Sequence, residues 1–161
     1  MSRPRALQIE PVTPEDLPDI LALQRRAYAS EAARYPEVPL PPMTESLDDL
    51  AADAQRRTLL KGRLNGRLMA AVRGHVGSDG LGHIGRLMVA PEFQGQGFGT
   101  ALLEAMEAAL RAQTLELFTG ARSSANLRLY ERLGYRRHRM EARGGVELVF
   151  LRKMKGPVTY E

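Results

Sequence analysis

Cysteine is missing from this chain of 161 residues, which removes disulfides, thiol nucleophiles and cysteine-ligated zinc together. No apolar run approaches the roughly 20 residues that a membrane-spanning helix needs. The N-terminal Met1-Ser2-Arg3-Pro4-Arg5 lacks the apolar stretch of a secretory leader. The expected location is therefore the cytoplasm, with no membrane partner and no metal site. The phosphate-binding Gly-Lys-Ser/Thr of a P-loop is absent too. Composition is otherwise ordinary for a globular domain, 43% hydrophobic and 26% charged. The length fits a single domain over 1–161 with a proper core.

The segment richest in chemical meaning begins at Leu87-Met88-Val89-Ala90-Pro91, an apolar strand broken by proline. It enters Gln94-Gly95-Gln96-Gly97-Phe98-Gly99-Thr100 and continues as the amphipathic Ala101-Leu102-Leu103-Glu104. Glycine at every second loop position keeps side chains away from the backbone donors and permits positive φ. The helix that follows leaves about four N–H groups without intrahelical partners, and its dipole adds a field that favours anions. The loop therefore reads as a pyrophosphate cradle. A dinucleotide fingerprint would want a small residue at Thr100 and an acid at a strand end roughly 20 positions on. Glu116 is near that offset but lies inside Leu115-Glu116-Leu117-Phe118.

Residues 7–12 alternate as a strand. Thr13-Pro14-Glu15-Asp16 reads as a helix start, with Thr13 as N-cap and Pro14 in the first turn; Leu17, Ile20, Leu21, Ala27 and Tyr28 form the expected buried stripe. Residues 37–43 read as a proline-rich loop, and Thr44 or Ser46 caps a second helix. Two strands, 58–64 and 67–76, flank the hairpin signal Asn65-Gly66, and 83–89 forms a further strand. The helix after the glycine loop is expected to bury Ala101, Leu102, Ala105, Met106, Ala109 and Leu110. A strand at 114–119, a helix at 124–133 and a hairpin across Gly144-Gly145 complete an α/β or α+β chain.

The pattern Val89-x-Pro91-x-x-Gln94-Gly95-x-Gly97-Phe98-Gly99-Thr100-x-Leu102-Leu103 resembles the acyl-CoA-binding motif of the GNAT N-acetyltransferase superfamily, with Gln94, Gly97 and Gly99 on its core positions. A second stretch, Asn126-Leu127-Arg128-Leu129-Tyr130-Glu131-Arg132-Leu133-Gly134-Tyr135, is similar to the family's Asn, Leu-Tyr and Leu-Gly-Phe/Tyr segment. The resemblance spans about 7–153. It implies a central mixed, mostly antiparallel seven-stranded sheet, splayed between strands 4 and 5 and flanked by about four helices. It also implies acetyl-CoA as co-substrate, with no metal, and a homodimer, which is frequent in the family. The expected cofactor-binding residues are Leu87, Met88, Val89, Gln94, Gly95, Gln96, Gly97, Phe98, Gly99, Thr100, Asn126 and Tyr130.

The reaction so implied is attack of a primary amine on the thioester in a ternary complex. Its oxyanion needs a backbone donor, for which the Met88 or Val89 N–H is the candidate. By resemblance Tyr130 protonates the leaving thiolate, a task suited to a phenol of ordinary pKa about 10; its spacing with Leu127 and Leu133 equally fits core packing. Asn126 is a ligand by resemblance and a cap or turn residue by position, and many relatives carry their asparagine where this chain has Ser123. Many members place a glutamate where this chain has Gly85. His83 then becomes a water-mediated base or a plain exposed turn residue, with Glu31, His75 and bulk water as other proton acceptors. Tyr28, Glu31, Tyr35 and Glu37 are candidate acceptor-site residues or a packed helix end and charged loop.

Net charge is +4, and Arg122, Arg128, Arg132, Arg136, Arg137, Arg139 and Arg143 alternate with acidic and apolar residues. They read as a solvated basic face or as attraction for anionic coenzyme A; nucleic acid is not expected as a partner. The alternative function from another class is an acyl-CoA-binding sensor or interaction module without turnover.

Overall fold

The computed structural model describes residues 6–155, so Met1 to Arg5, read above as lacking a leader, lie outside it. The chain runs through β1 (Gln8–Pro11), a 3-10 turn (Pro14–Asp16), α1 (Leu17–Ala27), α2 (Ala29–Ala33), α3 (Pro41–Thr44) and α4 (Leu47–Arg56). It continues through β2 (Thr58–Leu64), β3 (Arg67–Val76), β4 (Gly82–Val89), a second 3-10 turn (Pro91–Phe93) and α5 (Phe98–Ala109). β5 (Thr114–Gly120), α6 (Ser124–Arg132), β6 (Arg136–Arg143) and β7 (Val146–Met154) close it. Among the described residues no helix is long and apolar enough to cross a membrane.

The strands form one seven-stranded sheet in the order β1-β2-β3-β4-β5-β7-β6. Hairpin turns set much of its register. Asn65 and Gly66 take φ of 52° and 76°, the type I′ geometry whose twist matches that of paired strands. β4 and β5 are parallel, because α5 crosses between them, and the other neighbours pair antiparallel.

Helices cover both faces, and two adjacent residues of β3 show how. Successive strand side chains point to opposite faces. Arg73 reaches Gln24 of α1 and Asp53 of α4, whereas a Cβ on Gly74 would lie 2.6 Å from Met106 Sδ of α5. Glycine at 74 is thus what lets α5 lie close on the sheet. Beyond the expected helices, the proline-rich stretch gains a short turn of helix, α3, as proline permits at a helix start. The buried stripes also differ in detail. α1 buries Leu23 and Gln24 where Leu21 was expected, because Gln24 satisfies its amide on Pro42 O and Arg73. α5 buries Leu103, while Ala109, in its last turn, is exposed.

The most deeply buried charges are paired. Asp16 and Lys61 are both buried; Lys61 Nζ lies 2.6 Å from Asp16 Oδ2 and Arg63 2.9 Å from Oδ1. Thr13 N–H and Oγ1–H donate to the same carboxylate, so the sequence's N-cap signal also builds an ion-pair site. On the other helical side Arg73, 5% exposed, donates to Glu45, Asp53 and Gln24. Burial pushes the carboxyls of Asp16 and Glu45 upward, but hydrogen bonds from Lys61 and Thr13, and from Arg73 and Gln24, outweigh it and hold each at about 2.

Both carboxyls are therefore depressed from ordinary values of 3.8 and 4.5. Their stabilisation is complete above those values and lost as pH falls through the folded-state ones. Thermal melts should show Tm constant from neutrality to about pH 5 and falling steeply toward pH 2. Asp16→Asn, which strands Lys61 in the interior, should cost about 3 kcal/mol at neutral pH and flatten part of that acid limb.

Candidate active site at the sheet opening

β4 and β5 pair only at Gly82 with Leu115 and His83 with Glu116; beyond these residues they diverge. β4 carries an extra residue against β3, since Ala71 opposes Met88 but Arg73 opposes Gly85. The bulge is centred on Arg86, whose φ is 49°, a left-handed conformation that a long side chain seldom adopts. Past the bulge, Ala90 N–H bonds to Met69 O of β3 at 2.8 Å. Strand amides alternate in direction, so Val89, rather than Met88, turns its backbone polar groups toward the opening. Gln94 fits this geometry, donating its side-chain amide to Val89 O at 3.1 Å. The first glutamine of the motif thus ties the loop to the strand.

Within the loop, Gly95 and Gly97 take φ of 77° and 85°. Gly97 is the N-cap of α5 and brings no side chain to the cap, which leaves the first-turn amides, among them those of Phe98, Gly99 and Thr100, facing outward. Glu92 anchors the preceding turn through Arg26 and Arg67, at 2.6 and 3.3 Å. A cavity of about 440 Å³ runs from this loop to Leu87, Met88 and Val89, with Phe93 and Arg132 on its walls. Open backbone donors at a helix start, a channel of mixed polar and apolar lining and a basic rim suit a pyrophosphate followed by a pantetheine arm.

A second cavity of about 1030 Å³ lies on the other side of the opening. The two share Tyr28, Glu31, Leu87, Asn126 and Tyr130 in their walls. Tyr130 projects from α6 and is 7% exposed. Burial, with Tyr28 and Glu31 nearby, pushes its phenol well above the ordinary value. The Leu133-Gly134-Tyr135 motif explains its fixed position. Gly134 at φ 98° ends α6, with Tyr135 N–H on Tyr130 O and Gly134 N–H on Glu131 O, a Schellman cap. The turn brings the Tyr135 ring edge-on to Tyr130 at 6.1 Å, and Tyr135 O–H donates to Glu107 of α5.

Tyr28 closes α1, and its hydroxyl lies 3.4 Å from Leu87 O. Glu31 accepts from Arg34 at 2.8 Å and from the Ser123 hydroxyl. Ser123, at the position where many relatives carry asparagine, is buried against that carboxylate. Asn126 instead stands at the junction and donates to Thr119 Oγ1 at 3.3 Å. Tyr35 borders the larger cavity, but its hydroxyl accepts from Arg122 N–H and its ring lies under the Arg122 guanidinium; Glu37 is exposed and lines neither cavity.

His83 sits at the closed end of the divergence, between Asp79 at 2.9 Å and Glu116 at 3.9 Å and stacked on His75. Four strand residues, about 13 Å, separate it from Leu87. Glu116 also binds Arg139 and Arg152 within the sheet, which accounts for it without a ribose. Several of the arginines read as a basic face are paired likewise, Arg137 with Glu131 and Arg143 with Glu141. A Cβ on Gly85 would meet nothing within 4 Å, so open space stands where many relatives have glutamate. Sequence reasoning missed Arg86; its only signal is the long side chain following Gly85 in an otherwise apolar strand.

A sheet parted between parallel neighbours, with a glycine-turned loop at the mouth of the gap, is the architecture of the GNAT fold. Residues 18–135 match the family model described as the acetyltransferase (GNAT) family. The chain belongs to that family and is an acetyltransferase of the GNAT type. No curated protein matches its sequence significantly. Among solved structures it is similar to the PaiA N-acetyltransferase of Thermoplasma acidophilum in complex with coenzyme A, at 15% identity and TM-score 0.76, covering 93% of this chain and 99% of that one. The ribosomal-protein-S18-alanine N-acetyltransferase of Escherichia coli aligns at 24% identity and TM-score 0.71, covering 97% and 100%. A putative acetyltransferase of Salmonella typhimurium with its cofactor acetyl-CoA aligns at 18% and 0.70, covering 92% and 94%.

Gly97→Ala places its Cβ in open space but on a backbone at φ 85°. It should cost about 1–2 kcal/mol of stability. By shifting the first-turn amides it should also weaken acetyl-CoA binding by about tenfold or more in calorimetry.

Proposed function

We propose that the protein transfers the acetyl group of acetyl-CoA to a primary amine by direct attack within a ternary complex. The observation that carries this reading is the meeting of the two cavities at Tyr28, Glu31, Leu87, Asn126 and Tyr130. A thioester threaded along the smaller cavity and an amine entering from the larger one reach the same point without either leaving its own channel. The loop 94–100 holds the pyrophosphate, and Leu87, Met88 and Val89 line the pantetheine path.

Glu31 takes the proton that the acceptor ammonium must lose. It is preferred over His83 because it borders the junction, whereas His83 lies about 13 Å along β4. The amine nitrogen forms a bond to the acetyl carbon, and Val89 N–H meets the developing oxyanion. As the carbon–sulfur bond breaks, Tyr130 gives its proton to the departing thiolate. The adduct nitrogen loses its second proton by the same route as the first, through Glu31; of the two protons one returns through solvent to the phenolate and the other is released to solvent, so the cycle balances. Raising the Tyr130 phenol keeps it protonated across the physiological range. The reading includes a cytoplasmic homodimer, for which β6, an edge strand with Met140 57% exposed, offers a surface.

The test is CoA release from acetyl-CoA over a panel of amines. Tyr130→Phe should lower kcat by about a hundredfold or more while acetyl-CoA affinity stays within about threefold. With wild type, kcat should show no alkaline fall below about pH 10, since the acid titrates above that. Glu31→Gln should lower kcat/KM by about a hundredfold and make the remaining rate rise with pH as free amine becomes available. Tight acetyl-CoA binding without turnover on any amine would refute transfer and favour a sensor.

A further inference from the structure

Arg86 differs from every other cation around the larger cavity. Arg73 is bound by Glu45 and Asp53, Arg57 by Asp53, Arg139 and Arg152 by Glu116, and Arg143 by Glu141. Among the described residues Arg86 has neither an ion pair nor a side-chain hydrogen bond, and its Nε is buried without a partner. Arg25 and Arg73 also have an unpartnered Nε, but their terminal nitrogens are engaged. Burial draws the Arg86 guanidinium below its ordinary pKa, with Arg73 contributing repulsion. Glu45 and Asp53 attract it only from a distance; partly burying a guanidinium without a bonded counter-charge is costly, and here it is done on a backbone at φ 49°. Two costs at one residue beside the reacting junction call for a ligand that repays them.

We infer that Arg86 is the anchor for a carboxylate on the acceptor, so that the substrate class is a primary amine bearing a carboxylate. The inference rests on the acyl-transfer reading of the site. Arg86 lines the acceptor cavity between Gly85 and Leu87, three residues before Val89, and Glu31 borders the same cavity at the junction. An amino acid zwitterion therefore meets a cation and an anion in the order its own charges require. A planar guanidinium also matches a carboxylate in two parallel hydrogen bonds. A diamine or neutral amine would leave Arg86 uncompensated.

The experiment uses the whole protein saturated with CoA, and calorimetric titration with glycine, γ-aminobutyrate and lysine, each beside its carboxamide. At least one acid should bind about tenfold or more tightly than its amide, and Arg86→Gln should abolish that preference, with Arg86→Lys retaining part of it. Thermal melts supply an independent readout. Without acceptor, Arg86→Gln should melt a few degrees higher than wild type, because a half-buried charge without a bonded partner has been removed; a structural arginine would give the opposite shift. Equal affinity for acids and amides, no binding of any acid, or a preference unchanged in Arg86→Gln would overturn the inference. CoA release is measured separately. Acid-selective binding without acetyl transfer would overturn the proposed reaction and leave the carboxylate site standing, while transfer to amides and acids alike would do the reverse.

Discussion

The parting of β4 from β5 is the constraint on which the rest of the molecule depends. Parallel pairing lasts for two residue pairs, and the bulge at Arg86 then bends β4 while keeping it bonded to β3. A continuous sheet would have satisfied the backbone of 87–89 with β5 and left no gap. With the gap, Val89 presents polar backbone in a partly buried place, where a donor is worth most to a developing charge. The helices on either side of the gap then determine what it can hold. α5 supplies a helix start on one side, while α1, α2 and α6 bring Tyr28, Glu31 and Tyr130 to the junction.

Such a gap weakens a sheet, and ion pairs brace it. Beside the larger cavity Arg73 joins β3 to α1, α4 and Glu45 in one hydrogen-bonded cluster. At the closed end Glu116 gathers Arg139 and Arg152 beside His83. Every charge in these clusters has an opposite charge bonded to it, so they fix geometry rather than attract ligands. Arg86 stands out against them because it is half-buried, with its Nε wholly so, and lacks the partner. The distinction between a bracing charge and a waiting one is visible only from the pairing of each neighbour.

Two departures from the common family pattern are linked through Glu31. Gly85 leaves open space where many relatives have a carboxylate, and Ser123 stands where many have an asparagine. Ser123 holds the carboxylate of Glu31, which borders both cavities. A carboxylate is therefore still at the junction, supplied by α2 instead of β4. Arg34 and the Ser123 hydroxyl together restrict its rotamers, which is the kind of support a proton acceptor needs to stay in place.

The amino-acid sequence by itself determined what depends on neighbours a few positions apart. The Asn65-Gly66 hairpin, the Thr13 and Ser46 helix starts, the glycine loop and the Leu133-Gly134-Tyr135 cap all follow from φ preferences, capping and hydrophobic period. The motifs containing Gln94 and Tyr130 made the family legible as well. What only the tertiary structure decided lies in contacts between distant segments. Ser123 meets Glu31 across 92 positions, His83 is drawn to the closed end by Glu116, and Val89 rather than Met88 turns toward the gap because of a bulge two strands must share. No local pattern encodes Arg86 as unpaired, since that property is the sum of where every nearby carboxylate has gone.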